Sequence, residues 1–307
     1  MNKKSIVQNP KAVAILALFC CALWGSAFPC VKIGYQLFSI SGAGSQILFA
    51  GYRFFLAGIL TFFISSLNER RVIKMKKSSV PYVFGQGILQ TTIQYVFFYL
   101  GLAYTTGAKA SVINASSVFF SIIAAHFLVK NENISLRKSL GCIIGFLGVI
   151  IVNLTPDAME SGFNWMGEGF VLICSAAYGI STVTLKLMSD KEAPTTITAY
   201  QLLFGGAVLM LIGFLTGGEV NGFTLESSFL LLYLAFISAA AFSIWTVLLK
   251  YNSVGKVTVF GFTIPVFGTL LSAMILHEDI FSLNSLFSLF LVSIGICIVN
   301  TSQSRIK

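Results

Sequence analysis

Three glutamines, Gln86, Gln90 and Gln94, recur every fourth residue within one long apolar segment of the chain. In a helix this spacing places all three side chains on one face. Amides donate and accept hydrogen bonds, so this face predicts binding, either of a polar solute or of a neighbouring helix. Asn114 and Ser117 share a face of the next apolar segment and are open to the same two interpretations.

Aromatic residues and prolines lie in other apolar segments. Trp24, Tyr178 and Trp245 provide flat surfaces for a ligand or pack within the protein. Prolines remove backbone hydrogen bonds and kink helices, which predicts either a gate or a static bend. The residues predicted to bind substrate are Trp24, Phe28, Gln90, Gln94, Tyr99, Asn114, Ser117, Tyr178, Thr182 and Trp245, and those predicted to have gating or structural roles are Pro29, Arg53 and Pro265.

The composition identifies the solvent in which these segments fold. Of 307 residues, 56% are hydrophobic and only 10% are charged, with a mean hydropathy of +0.87. A soluble protein needs more charge to cover its surface, so the composition predicts an all-α protein in a lipid bilayer. All six cysteines lie in apolar runs, so neither a metal site nor another cofactor is expected.

Ten segments are long and apolar enough to cross the hydrocarbon core of a bilayer, which requires about 20 residues. We place the predicted transmembrane helices at 12–33, 46–67, 80–103, 108–128, 136–153, 166–187, 195–216, 227–249, 257–276 and 281–300. With the amino terminus in the cytoplasm, 17 of the 20 Lys and Arg residues lie on the inner side. This strong bias predicts that both termini are cytoplasmic, and it explains the net charge of +9 without a nucleic-acid partner.

A self-match indicates how the spans are organised. Residues 97–153 align without a gap on residues 244–300, with eleven identities, including Phe120 with Phe267 and Gly148 with Gly295. In the flanking spans, Trp24-Gly25 aligns with Tyr178-Gly179. Because each half has five spans, an odd number, the halves must enter the membrane in opposite orientations. The sequence predicts two inverted five-helix repeats, 1–155 and 156–307.

Four motifs resemble the EamA-type branch of the drug/metabolite transporter superfamily: LWGSAFPCVK at 23–32, YRFFLAGIL at 52–60, GLAYTTGAKA at 101–110 and GFLGVIIVN at 145–153. The resemblance covers essentially the whole chain. It implies ten spans in two inverted repeats, with a cavity lined mainly by the first, third, fourth, sixth, eighth and ninth spans. It also implies transport of amino acids or other metabolites, and it favours efflux.

Arg53 is the one basic residue well inside a predicted span. A charge at this depth is costly, which makes it a candidate functional residue, but the resemblance places the second span at the periphery and so favours a structural role. Pairing with Glu168 or with helix-end carbonyls would serve such a role.

All eleven carboxylates lie in loops or at span ends, which argues against a proton carrier within the membrane. Lys32 and Lys186, at the ends of repeat-related spans, are interpreted as anchors.

These features predict a secondary transporter for a small neutral or zwitterionic solute, working by alternating access as a multi-pass protein of the plasma membrane. The alternatives are an intramembrane enzyme and a channel. No catalytic motif is recognisable, and His126 and His277 are predicted at opposite membrane faces, so we expect no enzyme activity. No filter loop or ring of charge suggests a channel. The expected partners are the solute and the bilayer, with the protein a monomer or weak dimer.

Overall fold

The computed structural model describes residues 7–105, 110, 113–152, 164–276 and 283–301, and every regular element within these ranges is a helix. In the first half, α1 is Pro10–Leu37 and α2 is Ala43–Glu69. The third segment begins as α3, Val80–Gln86, continues as a π-helical stretch, Gly87–Ile93, and ends as α4, Gln94–Tyr104. It is followed by α5, Ser117–Leu128, and α6, Leu136–Val152.

The second half begins with a π-helical turn, Trp165–Gly169, that leads into α7, Phe170–Met188. The next two helices are α8, Pro194–Leu215, and α9, Leu225–Tyr251. The ninth segment is divided into α10, Val254–Thr258, a 3-10 turn, Val259–Phe262, and α11, Thr263–Leu276. The last described helix is α12, Leu283–Thr301.

The helices begin where the sequence provides caps. Asn9 accepts a hydrogen bond from the backbone N–H of Lys11 at 2.9 Å, and Pro10 occupies the first helical position of α1. Thr224 and Ser227 form a reciprocal capping box at the start of α9. Both arrangements satisfy backbone groups that a helix end leaves unpaired, so local sequence fixes where these helices start.

Among the residues that the structure describes, five helical segments are long and apolar enough to cross a membrane: Pro10–Leu37, Ala43–Glu69, Trp165–Met188, Pro194–Leu215 and Leu225–Tyr251. Shorter apolar helices cover Ile113–Leu128, Val254–Gly268 and Phe290–Asn300. The predicted all-α architecture is therefore confirmed for the described residues. The count of ten spans and the cytoplasmic location of the termini stay predictions.

Glycines allow α2 and α8 to pack at close range. A Cβ atom added at Gly58 would lie 2.6 Å from the backbone N of Leu203, and one added at Gly213 would lie 2.6 Å from Cβ of Leu48. Residue numbers rise along one helix as they fall along the other, so the two helices run antiparallel. A side chain at either glycine would force the helices apart.

Two further close contacts correspond to each other through the self-match. A Cβ atom at Gly25 in α1 would lie 2.6 Å from Cβ of Phe267 in α11, and one at Gly179 in α7 would lie 2.5 Å from Cβ of Phe120 in α5. Gly25 aligns with Gly179 in the sequence, and Phe120 aligns with Phe267. Each half therefore packs its first helix on the other half through the same residue positions.

Candidate functional site

A cavity lies at the centre of the protein, among helices from both halves. It has a volume of about 80 Å³, room for a few water molecules. The residues that line it come from α1, α2, α4, the start of α5 and the helical turn before it, α7, α9 and α11. The lining residues are Trp24, Ala27, Phe28, Val31, Arg53, Gln94, Tyr95, Phe98, Leu102, Asn114, Ser117, Tyr178, Phe242 and Ile264.

An aromatic cluster forms one wall of this cavity. The Trp24 ring lies 6.3 Å from the Tyr178 ring, 5.4 Å from Phe242 and 5.0 Å from Trp245, measured between ring centres. All three pairs meet edge to face, the arrangement that the aromatic quadrupole favours. Trp245 packs behind Trp24 and is only 1% exposed, so it supports the wall without being part of the cavity lining.

Several polar atoms in this wall have no hydrogen-bond partner among the described residues. They are Nε1 of Trp24, the hydroxyl of Tyr178 and Oε1 of Gln94, and all three are buried. Buried polar groups without partners are costly, so such atoms are concentrated where a ligand or water completes the bonding. Their presence at one cavity makes it the candidate binding site.

The three glutamines of the third span divide into two groups. Gln86 donates hydrogen bonds to Oε1 of Gln90 and to the carbonyl of Ser181, both at 2.9 Å, and accepts one from the Thr184 hydroxyl at 2.6 Å. It therefore joins the third span to α7, whereas Gln94 lines the cavity. The π-helical stretch between them changes the helical register, so the spacing of four does not keep all three side chains in one role.

Of the residues predicted to bind substrate, six line the cavity: Trp24, Phe28, Gln94, Asn114, Ser117 and Tyr178. The other four lie outside its lining: Gln90, Tyr99, Thr182 and Trp245. Thr182, for example, donates its hydroxyl hydrogen bond to the carbonyl of Tyr178 one turn earlier, at 2.9 Å. Thr182 is on the same face of α7 as Tyr178, so its position along the helix separates it from the cavity.

The sequence analysis did not select several apolar lining residues, although a helical periodicity marks them. Ala27 and Val31 lie one and two turns beyond Trp24, on the same face of α1. Tyr95, Phe98 and Leu102 repeat at the same spacing along α4. Phe242 and Ile264 complete the set, and we find no sequence signal that distinguishes them from neighbouring apolar residues.

The two prolines have different positions. Pro29 lies within α1 and is buried. Pro265 lies in the first turn of α11, directly after the 3-10 turn. A proline is tolerated in the first helical turn because the N–H groups there have no partner within the helix. The interruption of the ninth segment therefore lies in the 3-10 turn that precedes Pro265.

Arg53 lines the cavity, although the second span was expected at the periphery. Only 3% of the residue is exposed, and its Nε donates a hydrogen bond to Oγ of Ser238 at 3.0 Å. Glu168, the partner considered from the sequence, accepts hydrogen bonds from the Thr105 hydroxyl at 2.5 Å and from the backbone N–H of Asn164. The arginine side chain is long enough to reach the centre from a helix whose backbone lies farther out.

A second polar cluster lies at one end of α7. Both carboxylate oxygens of Glu132 accept the backbone N–H of Val254 at 2.9 Å, where α10 begins. Lys186 Nζ lies 3.8 Å from Glu132 and donates hydrogen bonds to the carbonyls of Leu249 (3.0 Å) and Asn252 (2.5 Å). Lys186 is thus more than a surface anchor, because it holds the end of α9 and the start of α10 against the segment before α6.

Comparison with known proteins gives the family. The EamA-like transporter family matches residues 11–154 and again residues 165–301. The chain belongs to this family. An uncharacterized transporter of Archaeoglobus fulgidus is 30% identical over 283 residues, which cover 90% of this chain and 94% of that protein. The uncharacterized transporter YvbV of Bacillus subtilis is 25% identical over 306 residues, which cover 98% of this chain and 95% of that protein.

A solved crystal structure has the same fold. It superposes with a TM-score of 0.80, covering 97% of this chain and 99% of that chain, and because only 16% of residues are identical it shows the fold alone. The predicted membership of the EamA-type branch of the drug/metabolite transporters is confirmed. This EamA family member is accordingly a multi-pass membrane protein, and its relatives are named as transporters.

Proposed function

We propose that this EamA protein is a secondary transporter that exports a small neutral or zwitterionic solute, such as an amino acid, by alternating access. One observation carries the proposal. Trp24 and Tyr178 correspond to each other through the self-match, come from opposite halves of the chain, and lie 6.3 Å apart at the wall of the central cavity. A solute at this position contacts both halves, as a carrier with its site between two repeats requires.

The alternating mechanism rests on two inverted five-helix repeats, 1–155 and 156–307. The matching contacts of Gly25 with Phe267 and of Gly179 with Phe120 support this arrangement. Two halves that pack on each other through equivalent positions can exchange conformations, so that one closes its end as the other opens. The distribution of Lys and Arg supports a plasma-membrane orientation with both termini in the cytoplasm.

The size of the cavity supports a moving carrier over a rigid pore. Sites for small molecules generally have volumes of at least about 300 Å³. The central cavity, at about 80 Å³, must widen before a solute of this size enters. The cluster around Glu132 and Lys186 joins helix ends on the predicted cytoplasmic side, and it is a candidate for a contact that breaks when that side opens.

Counterflow in proteoliposomes tests the proposal. Vesicles loaded with unlabelled solute should accumulate the labelled solute transiently, with saturable kinetics, for at least one compound of an amino-acid and metabolite panel. Trp24→Ala should abolish this accumulation, whereas Trp165→Ala, which changes a tryptophan that is 76% exposed, should leave it unchanged. Flux that rises linearly with concentration and shows no counterflow would refute a carrier and favour a channel.

A further inference from the structure

Arg53 is a buried cation near the middle of its helix. It lies about two turns, or about 10 Å at about 1.5 Å of rise per residue, inside the outer end of the second predicted span, 46–67. It is 3% exposed and lines the central cavity. A charge at this depth is costly, and in membrane proteins such charges mark paths for ions or substrates.

The described groups around the guanidinium are neutral. Its Nε donates to Ser238, and its carbon lies 5.0 Å from the centre of the Phe54 ring. Tyr35 and Tyr99 lie close enough to interact with it electrostatically. Among the described residues, no Asp or Glu forms an ion pair with Arg53, and none lines the cavity. The protein therefore leaves this positive charge without a counter-ion in the part of the chain that the structure describes.

We propose that Arg53 binds a carboxylate of the solute, which narrows the proposed neutral or zwitterionic class to zwitterions that carry a carboxylate and an apolar or aromatic body. The inference rests on the proposed function, because it requires the solute to enter this cavity. A guanidinium presents a planar fork of N–H donors that matches the two oxygens of a carboxylate. Trp24 and Tyr178 line the same cavity, and neither Nε1 of Trp24 nor the hydroxyl of Tyr178 has a described hydrogen-bond partner.

The remainder of the cavity suits an apolar body. Phe28 and Phe98 line it and meet edge to face, with ring centres 5.9 Å apart. Among the described residues, the second half contributes no charged side chain to the cavity lining, and the lining lacks Gln201, which follows Tyr200 as Arg53 follows Tyr52. Arg53 therefore gives a bound carboxylate one orientation relative to the two proposed repeats.

A purely structural role of Arg53 makes a different prediction, and substitution of Ser238 distinguishes that role from solute binding. If Arg53 serves only to hold α2 against α9 through its hydrogen bond to Ser238, Ser238→Ala should have the same effect as Arg53→Gln. If Arg53 binds the solute, Ser238→Ala should retain carboxylate binding and Arg53→Gln should lose it. Arg53→Lys keeps the charge but not the fork, and it should retain binding with reduced affinity.

The experiment measures thermal stabilisation of the purified protein by matched compounds that share one body. Phenylalanine and 3-phenylpropanoate carry the carboxylate, whereas phenylalanine amide and 2-phenylethylamine lack it. Two equivalent sets, in which an isobutyl or a methyl group replaces the benzyl group, extend the series. We expect the carboxylates of at least one set to stabilise the wild type and Ser238→Ala. We expect Arg53→Gln to weaken their binding about 10- to 100-fold.

Each other result overturns the inference. It fails if no carboxylate stabilises the wild type, if the amines or amides bind as well as the acids, or if Arg53→Gln binds carboxylates normally. Counterflow separates this failure from failure of the proposed function. If the amines show saturable counterflow and the acids do not, the protein is a carrier but Arg53 is not an anion site. If the acids bind through Arg53 without any counterflow, the anion site is supported and the carrier function is refuted.

Discussion

Gln86 and Gln94 lie eight residues apart in one span, but they have different partners. Gln86 is hydrogen bonded to Gln90, Ser181 and Thr184, whereas Oε1 of Gln94 has no described partner and its side chain lines the cavity. Both residues are buried. Two amides in similar apolar surroundings therefore have different environments, one in a helix contact and one in the lining of the cavity.

Substitution of these two residues by leucine should separate stability from binding. Gln86→Leu should lower the free energy of unfolding by about 1–2 kcal/mol, because it removes hydrogen bonds to α7. It should leave the affinity for solute unchanged. Gln94→Leu should do the reverse, with near-normal thermal stability and weaker solute binding. Thermal unfolding with and without solute checks both, and equal effects of the two variants on both quantities would contradict the division.

The sequence could predict that these glutamines matter but not which of them faces the cavity. That depends on the π-helical stretch Gly87–Ile93, where a backbone adjustment accompanies tight packing on α8. A Cβ atom at Gly87 would lie 2.7 Å from the carbonyl of Gln201. Such adjustments arise from tertiary contacts, which hydropathy and periodicity do not encode. The same limit explains why Trp245, selected as an aromatic at the right depth, packs behind the cavity.

At the scale of whole helices, hydropathy located the longest elements. The first predicted span, 12–33, lies within Pro10–Leu37, and the seventh, 195–216, nearly coincides with Pro194–Leu215. Apolar length and capping residues determine these limits. Helix-to-helix distance is determined instead by glycines whose partners are distant in sequence, and only the self-match indicated that two such contacts correspond.

The paired glycine contacts predict matched effects in the two halves. Gly25→Ala and Gly179→Ala should each lower the free energy of unfolding by about 1–3 kcal/mol, because the new Cβ atom would press on the backbone of the facing helix. Gly85→Ala is the control, since nothing lies within 4 Å of a Cβ at that position, and it should be neutral or slightly stabilising. Thermal unfolding provides the measurement, and a large effect in only one half would argue against equivalent packing.

The junction of α9 and α10 should depend on Glu132. Glu132→Ala removes the acceptor for the backbone N–H of Val254 and the ion-pair partner of Lys186. The free energy required to open the junction locally should therefore fall by about 1–3 kcal/mol. Hydrogen exchange across residues 249–258 should then be roughly 10- to 100-fold faster. Glu69→Gln, which alters an ion pair with Arg71 at the exposed end of α2, is the control. Unchanged exchange in Glu132→Ala would show that the cluster does not hold the junction.

The whole molecule combines two matching glycine contacts with an asymmetric cavity lining. Equivalent positions hold the two halves together at Gly25 and Gly179, whereas the cavity contains Arg53 on one side and no counterpart from Gln201 on the other. The self-match predicts the repeat because residues at packing positions recur, and its differences, such as Asn114 aligned with Gly261, predict a chemically asymmetric cavity. The sequence did not predict the contribution of Arg53 to this asymmetry, because the resemblance placed the second span away from the cavity.

This asymmetry has a consequence for the transport cycle. If the carboxylate of the solute pairs with Arg53, the guanidinium has a counter-ion in the loaded carrier, whereas the empty carrier must enclose an uncompensated cation, which is costly inside a membrane span. Exchange of solute for solute should therefore be faster than net efflux into a solute-free compartment. We expect a difference of at least about 10-fold, which corresponds to a barrier about 1.4 kcal/mol higher for the return of the empty carrier. In Arg53→Gln, which has a neutral cavity in both states, the two rates should converge for the amide analogue of the solute. Proteoliposome flux with and without solute on the opposite side measures both rates, and net efflux as fast as exchange in the wild type would refute this account of the cycle.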